Sequence, residues 1–180
     1  MDRAPRDSIH RQATILGLAG DAPRVVMRKT AMNGALIKQQ WQHLIPHRGS
    51  MSLLDEVIAW DDDAIHLGAR SHASADNPLR SDGMLRALHL CEYGAQAMAV
   101  HGGLLAQRAG SVAAPGLLVS LRAVQLHVQR IDDLPGTIDV HAQKLLGGES
   151  SWQYQFRIEY RGRVLALGRA AVINAAHAGV

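Results

Sequence analysis

Trp152, Tyr154, Phe156, Ile158 and Tyr160 alternate with Ser151, Gln153, Gln155, Arg157 and Glu159. A period of two sends successive side chains to opposite faces of an extended chain, so residues 151–160 are expected to form a strand with one face buried. Residues 65–70 repeat the pattern, with Ile65, Leu67 and Ala69 set against His66, Gly68 and Arg70. The apolar run at 51–60 precedes them across an acidic turn, Asp61 to Asp63, which makes a hairpin. Along 117–129 the apolar set moves from odd positions (Val119, Leu121) to even ones (Val124, Leu126, Val128), the mark of a bulge near Ala123. Residues 137–145 and 164–173 supply two more strands. Pro135 with Gly136, Gly147 with Gly148, and Arg161 with Gly162 mark the turns.

Residues 84–102 are free of proline and rich in Ala, Leu and Met, which predicts the long helix of the chain, stopped at Gly102 and Gly103. Leu85, Leu88, Leu90, Cys91, Ala95, Met98 and Val100 point in nearly every direction around it, so protein is expected to cover most of its sides. Arg86, His89, Glu92 and Gln96 argue against a membrane span. A shorter helix over 35–44 is stopped by Pro46 and followed by a loop holding His47, Arg48 and Gly49. Residues 71–83 carry loop chemistry, including Asp76, Asn77, Pro78, Ser81, Asp82 and Gly83. The order predicts an α+β fold, an antiparallel sheet wrapped around one long central helix. Residues 1–34, with Pro5, Gly17, Gly20, Pro23 and Gly34 and no sustained period, are expected to be an irregular extension, with Met27 or Met32 as alternative starts. The domain is expected over 35–175, with a tail at 176–180.

With 180 residues and 47% hydrophobic composition the chain can bury one core without disulfides or metals. Cys91 is the only cysteine, so no intrachain bridge can form and a reducing compartment is expected. The N-terminus lacks the apolar run of a signal peptide or membrane anchor, which points to the cytoplasm. The formal charge of +3 comes from scattered arginines, and aromatics make up 4%, which weighs against nucleic acid and suits an acidic protein partner. His43 and His47 have metal-ligand spacing, but Pro46 breaks the helix between them and no third ligand is near, so no metal is expected. No phosphate loop, dinucleotide fingerprint or nucleophile elbow is present.

The segment Leu44, Ile45, Pro46, His47, Arg48, followed by Met51, Leu53, Leu54, Asp55, Glu56 and Val57, resembles the opening of the hot-dog 3-hydroxyacyl-acyl-carrier-protein dehydratases. The helix segment Glu92, Tyr93, Gly94, Ala95, Gln96, Ala97 resembles that family's Glu-x-x-Ala-Gln-Ala helix, and Pro135 and Gly136 fall at its Pro-Gly turn. The wording of residues 77–83 and 92–101 is nearer to a divergent branch found in aryl polyene pigment clusters. Over about residues 36–175 the resemblance implies a hot-dog fold and a dimer, homomeric or with another hot-dog protein. It also implies a substrate carried on the phosphopantetheine arm of an acyl carrier protein, with no further cofactor. The sequence departs from the family at one place. Family enzymes carry a His-x-x-Gly histidine fourteen residues before the helix carboxylate, and counting back from Glu92 gives Pro78, beside Asn77.

Removing water from a 3-hydroxyacyl thioester needs a base for the proton next to the carbonyl and an acid for the departing hydroxyl. Glu92, on a largely apolar helix, is the candidate acid, with burial expected to raise its pKa beside a thioester tunnel. The resemblance makes His47 the candidate base. Anchoring the loop is its structural alternative. His89, one turn before Glu92, is placed to hydrogen bond to the carboxylate, and His72 in the loop ranks below both. Gln96 and Asn77 are candidates to orient substrate, and the resemblance places the thioester oxygen near Asp82 and Gly83. Two other readings stay open: an inactive subunit that stabilises an active hot-dog partner, and a thioesterase in which Glu92 activates water or attacks the thioester.

Overall fold

The computed structural model describes residues 33–148 and 150–175. Most of the expected N-terminal extension, both alternative starts and the tail at 176–180 lie outside the described residues. Among the described residues seven antiparallel strands form one sheet: β1 (Leu36–Ile37), β2 (Glu56–Trp60), β3 (Ala64–Ala69), β4 (Gly116–Leu126), β5 (Ile138–Gly147), β6 (Ser151–Tyr160) and β7 (Arg163–Asn174). Their spatial order is β1-β2-β3-β5-β6-β7-β4. A short helix, α1 (Lys38–Trp41), follows β1, and the long helix α2 (Leu90–Arg108) packs on β3, β5, β6 and β7. This is the expected hot-dog arrangement. No helix among the described residues is long and apolar enough to cross a membrane.

The period-two segments became strands because their apolar sets face α2. Ile65, Leu67, Val140, Ala142, Tyr154, Phe156 and Ile158 are all buried. His66, His141, Gln143, Gln155 and Arg157 take the other face, where two shallow depressions of about 440 and 340 Å³ lie. The bulge near Ala123 is present. The β4 to β7 register shifts between Arg122 and Gln125, and Ala123 adopts φ of +50°.

Three sequence expectations shift. Only residues 56–60 of the apolar run at 51–60 join the sheet; Gly49–Met51 is a single 3-10 turn, and the buried Leu53 gives its N–H to the Gln96 side chain instead of a strand. The expected helix at 35–44 is two residues of β1, one turn of α1 and a 3-10 turn at Gln42–Leu44.

The third shift is in the long helix, which begins six residues late and runs through Gly102 and Gly103. Its start is delayed because residues 85–87 pair with the chain after β4: Ala87 N–H donates to Gln129 and Ile131 N–H to Leu85. Asp132 pairs with Arg130 and Arg80 and accepts from Leu85 N–H; the hydrogen bond from Arg130, helped by the one from Leu85 N–H, holds its carboxyl well below the usual range. The true stop is Gly110, at φ of +71°. Ser111 N–H donates to Ala106 and Gly110 N–H to Gln107, the paired bonds of a Schellman ending.

Two of the glycines inside α2, Gly94 and Gly103, make room for neighbours. A Cβ on Gly94 would lie 2.6 Å from Phe156 Cγ, and one on Gly103 would lie 2.7 Å from Leu44 Cβ. Gly103 therefore seats the 42–44 turn against α2, on the face that also carries Glu92 and Gln96.

Candidate active site

The loop after α1 is built to present His47. Pro46 prevents the preceding turn from continuing, and the Arg48 guanidinium gathers the carbonyls of Gln42, Ile45 and His47. Leu44 packs on Gly103, so the loop lies along α2 with His47 over the helix's first turn. There His47 Nε2 stands 3.3 Å from Glu92 Oε1. The two side chains are 28% and 32% exposed, so the pair sits at the rim of the core and remains reachable. His47 Nδ1 is buried without a hydrogen-bond partner.

Gln96, one turn after Glu92 and fully buried, holds the same carboxylate from below. Its Nε2 donates to Glu92 Oε1 at 2.9 Å and to the Met51 carbonyl at 2.8 Å, while its Oε1 accepts from Leu53 N–H at 3.0 Å. One amide thereby ties the acid to the backbone of the chain that follows the histidine loop. Both donor protons of the amide are engaged within the protein, so Gln96 positions the acid instead of offering its amide to substrate.

The expected rise in the Glu92 pKa is overturned. The hydrogen bond from His47 holds it below the ordinary carboxylate value, outweighing the upward push of burial, and Gln96 and the charges of His47 and His89 add to the lowering. Glu92 is an ionised group in contact with an imidazole. The expected enclosure is also absent in this single subunit: a third of the Glu92 side chain is exposed, and neither depression on the outer sheet face is lined by His47 or Glu92.

The other candidates lie apart from this pair. Asn77 is buried and fully engaged, with Nδ2 donating to the Ser71 carbonyl (2.9 Å) and the Tyr93 hydroxyl (3.1 Å) and Oδ1 accepting from Leu79 N–H. It fastens its loop to the side of α2 that carries Tyr93. Where the family resemblance points to a catalytic histidine, this chain has a structural amide. Gly83, at φ of +72°, lies in an exposed turn closed by Ser81 and Met84, its carbonyl taken by Arg80, with no hydrogen bond to Glu92 among the described residues. His89 influences Glu92 through charge and makes no hydrogen bond to it. His72 is fully buried, donates from Nε2 to the Leu134 carbonyl, and has its pKa lowered by burial. The buried Cys91 thiol is pushed up by the same cause. Sequence reasoning passed over the tethering by Arg48 and the Ser71–Tyr93 contact of 2.8 Å. The side chain of Arg48 was visible in Pro-His-Arg; the contact of Ser71, from a loop, with a helix residue had no local signal.

A family model, described as ApeP-like (ApeP dehydratase), matches residues 39–179. No curated protein matches the chain at a significant level. Among solved structures, the chain is similar to the dehydratase heterocomplex ApeI:P from Xenorhabdus doucetiae, at 26% identity and a TM-score of 0.68, over 76% of this chain and 91% of that one. A putative thioesterase from Shewanella oneidensis (12% identity, TM-score 0.53, covering 76% and 93%) shares the fold alone. So does an HP0420 homologue from Helicobacter felis (14%, 0.52, covering 77% and 89%). A match over more than three-quarters of the sequence, in the region that builds the His47–Glu92 pair, establishes that the chain belongs to the ApeP-like dehydratase family.

Proposed function

We propose that the protein eliminates water from a 3-hydroxyacyl thioester held on the phosphopantetheine arm of an acyl carrier protein, with His47 and Glu92 as its acid–base pair. The contact of His47 Nε2 with Glu92 Oε1, held by Gln96, carries this reading. The lowered Glu92 pKa favours the carboxylate as the base, and the proton for the departing hydroxyl is drawn from His47 Nε2. The Glu92 carboxylate takes the proton from C2, and the electrons of that C–H bond form the C2–C3 double bond. The C3–O bond breaks as His47 Nε2 gives its proton to the departing oxygen, and water leaves. Transfer of the new carboxyl proton back to the imidazole, across 3.3 Å, restores the pair. The roles are thus the reverse of those expected from sequence, because the hydrogen bond from His47 outweighs desolvation at Glu92.

The missing wall of the site comes from a second hot-dog subunit. Strand β4 is the sheet's edge and exposes Leu117 (41%), Leu118 (45%), Val119 (53%), Leu121 (41%) and Leu126 (40%), a row of apolar residues beside unpaired backbone groups that invites another strand. The structural match to a dehydratase heterocomplex supports a hot-dog partner of this kind. The assembly works in the cytoplasm, where carrier-bound intermediates are made. The engaged Asn77 keeps a second reading in view, in which this chain completes a partner's site and the partner supplies the chemistry.

The test is the mass of a 3-hydroxyacyl carrier substrate after incubation with the protein, alone and with hot-dog proteins encoded beside it. Loss of water from the carrier-bound acyl group is expected. Release of the acyl group as free acid would make the protein a thioesterase and end this proposal.

A further inference from the structure

On the outer face of the sheet one transverse row runs Ala64, Gln143, Gln155, Arg169, Arg122, each residue directly opposite the next across neighbouring strands. The row ends at the free edge with two arginines side by side. Arg122 makes one side-chain hydrogen bond, to Ser120 Oγ, and neither arginine has a carboxylate partner among the described residues. Like charges directly opposite each other in a sheet repel, so the pair is a cost that folding alone does not repay. The carboxylates Asp139 on β5 and Glu159 on β6 lie four residues along their strands from Gln143 and Gln155, engaged with His66 and with Arg157.

We infer that the Arg122–Arg169 pair selects what docks on β4: it opposes a second copy of this chain and favours a different hot-dog subunit whose edge strand presents carboxylates opposite the arginines. This inference rests on the reading of β4 as the subunit interface given above. If two copies paired antiparallel over the whole of Gly116–Leu126, the pairing would centre on Leu121. The two Arg122 residues would then be diagonal neighbours on one face, about 7–8 Å apart, with an Arg169 behind each. Four guanidinium groups would share one band with no counter-charge. A strand carrying Asp or Glu at the facing position turns the same band into alternating charge, so the apolar residues of β4 supply adhesion and the arginines supply choice.

The test uses the full chain and two surface variants, R122Q/R169Q and R122E/R169E, with sedimentation as the readout and circular dichroism to confirm that each is folded. In low salt the wild type is expected to self-associate at least about tenfold more weakly than R122Q/R169Q, in which the repulsion is gone. An equimolar mixture of wild type and R122E/R169E is expected to form a 1:1 dimer tighter than either protein alone, and raising the salt is expected to erase the difference. Wild type that dimerises as tightly as R122Q/R169Q and as the mixture, indifferent to salt, would overturn the inference. So would a mixture that does not associate. Neither result touches the dehydration proposal, which is read from the mass of the substrate.

Discussion

At the scale of single residues, the candidate site is a carboxylate whose state is set by its neighbours. Glu92 was legible from the sequence as the lone acid on an apolar helix, and His47 from the Pro-His-Arg resemblance. Their meeting was not legible, because 45 positions separate them and only the folded loop closes the distance to 3.3 Å. Gln96 decides how that meeting works. In Gln96→Ala the Leu53 N–H and the Met51 carbonyl lose their partner and Glu92 loses a donor that lowers its pKa. Turnover is expected to fall about tenfold to a hundredfold through misplacement of the Glu92 carboxylate. The acidic limb of the pH–rate profile is expected to move to higher pH, since removing the donor lets the Glu92 pKa rise. An unmoved limb, with only a loss of stability, would reduce Gln96 to packing.

At the scale of elements, strands were easier to read than ends. The alternation over β6 left no ambiguity, and the change of parity along β4 located its bulge, because both are local patterns with a period of two. The limits of α2 were misread because they depend on distant partners: residues 129–131 pair with 85–87 ahead of a 3-10 turn at Ala87–His89, and a glycine pair that looked like a stop is packing space at Gly103. The two kinds of helical glycine give opposite expectations. Gly94→Ala drives a methyl group into the buried Phe156 ring and is expected to cost about 1–3 kcal/mol. A methyl group on Gly102 would meet nothing within 4 Å, so Gly102→Ala is expected to gain up to about 1 kcal/mol from helix propensity. Denaturant midpoints of the two variants, shifted in opposite directions, check both.

At the scale of the whole molecule, the chain is a well-filled core with an unfinished edge. Two fully buried histidines, His72 and His101, are part of that core. His101 donates from Nε2 to the Asp61 carbonyl at 2.9 Å and so accepts at Nδ1 from the Tyr154 hydroxyl at 2.8 Å, which ties α2 to the β2–β3 turn and to β6 as a neutral ring. Burial lowers the pKa of both. The unfolded chain, with histidines near 6.5, therefore binds protons that the folded chain refuses. Their stabilising effect is complete above about pH 6.5 and is lost as pH falls toward their folded values. The depressed Glu92 and Asp132 carboxyls act in the same direction at lower pH. Thermal midpoints measured from pH 8 to 5 are expected to fall steadily, and the slope below pH 6.5 is expected to lessen when His101 is replaced by Gln in a folded variant.

In the proposed assembly the wall of the site comes from another chain, and such a wall leaves no pattern in this one beyond the apolar exposure of β4. The account stands on the His47–Glu92 pair performing the elimination, and the direct measurement is the rate of enoyl thioester formation from a carrier-bound 3-hydroxyacyl substrate in a fixed assembly. Glu92→Gln and His47→Gln are each expected to slow it by about a hundredfold or more while carrier affinity and subunit assembly stay unchanged. Wild-type rates in both variants would contradict the account and move the chemistry to another subunit.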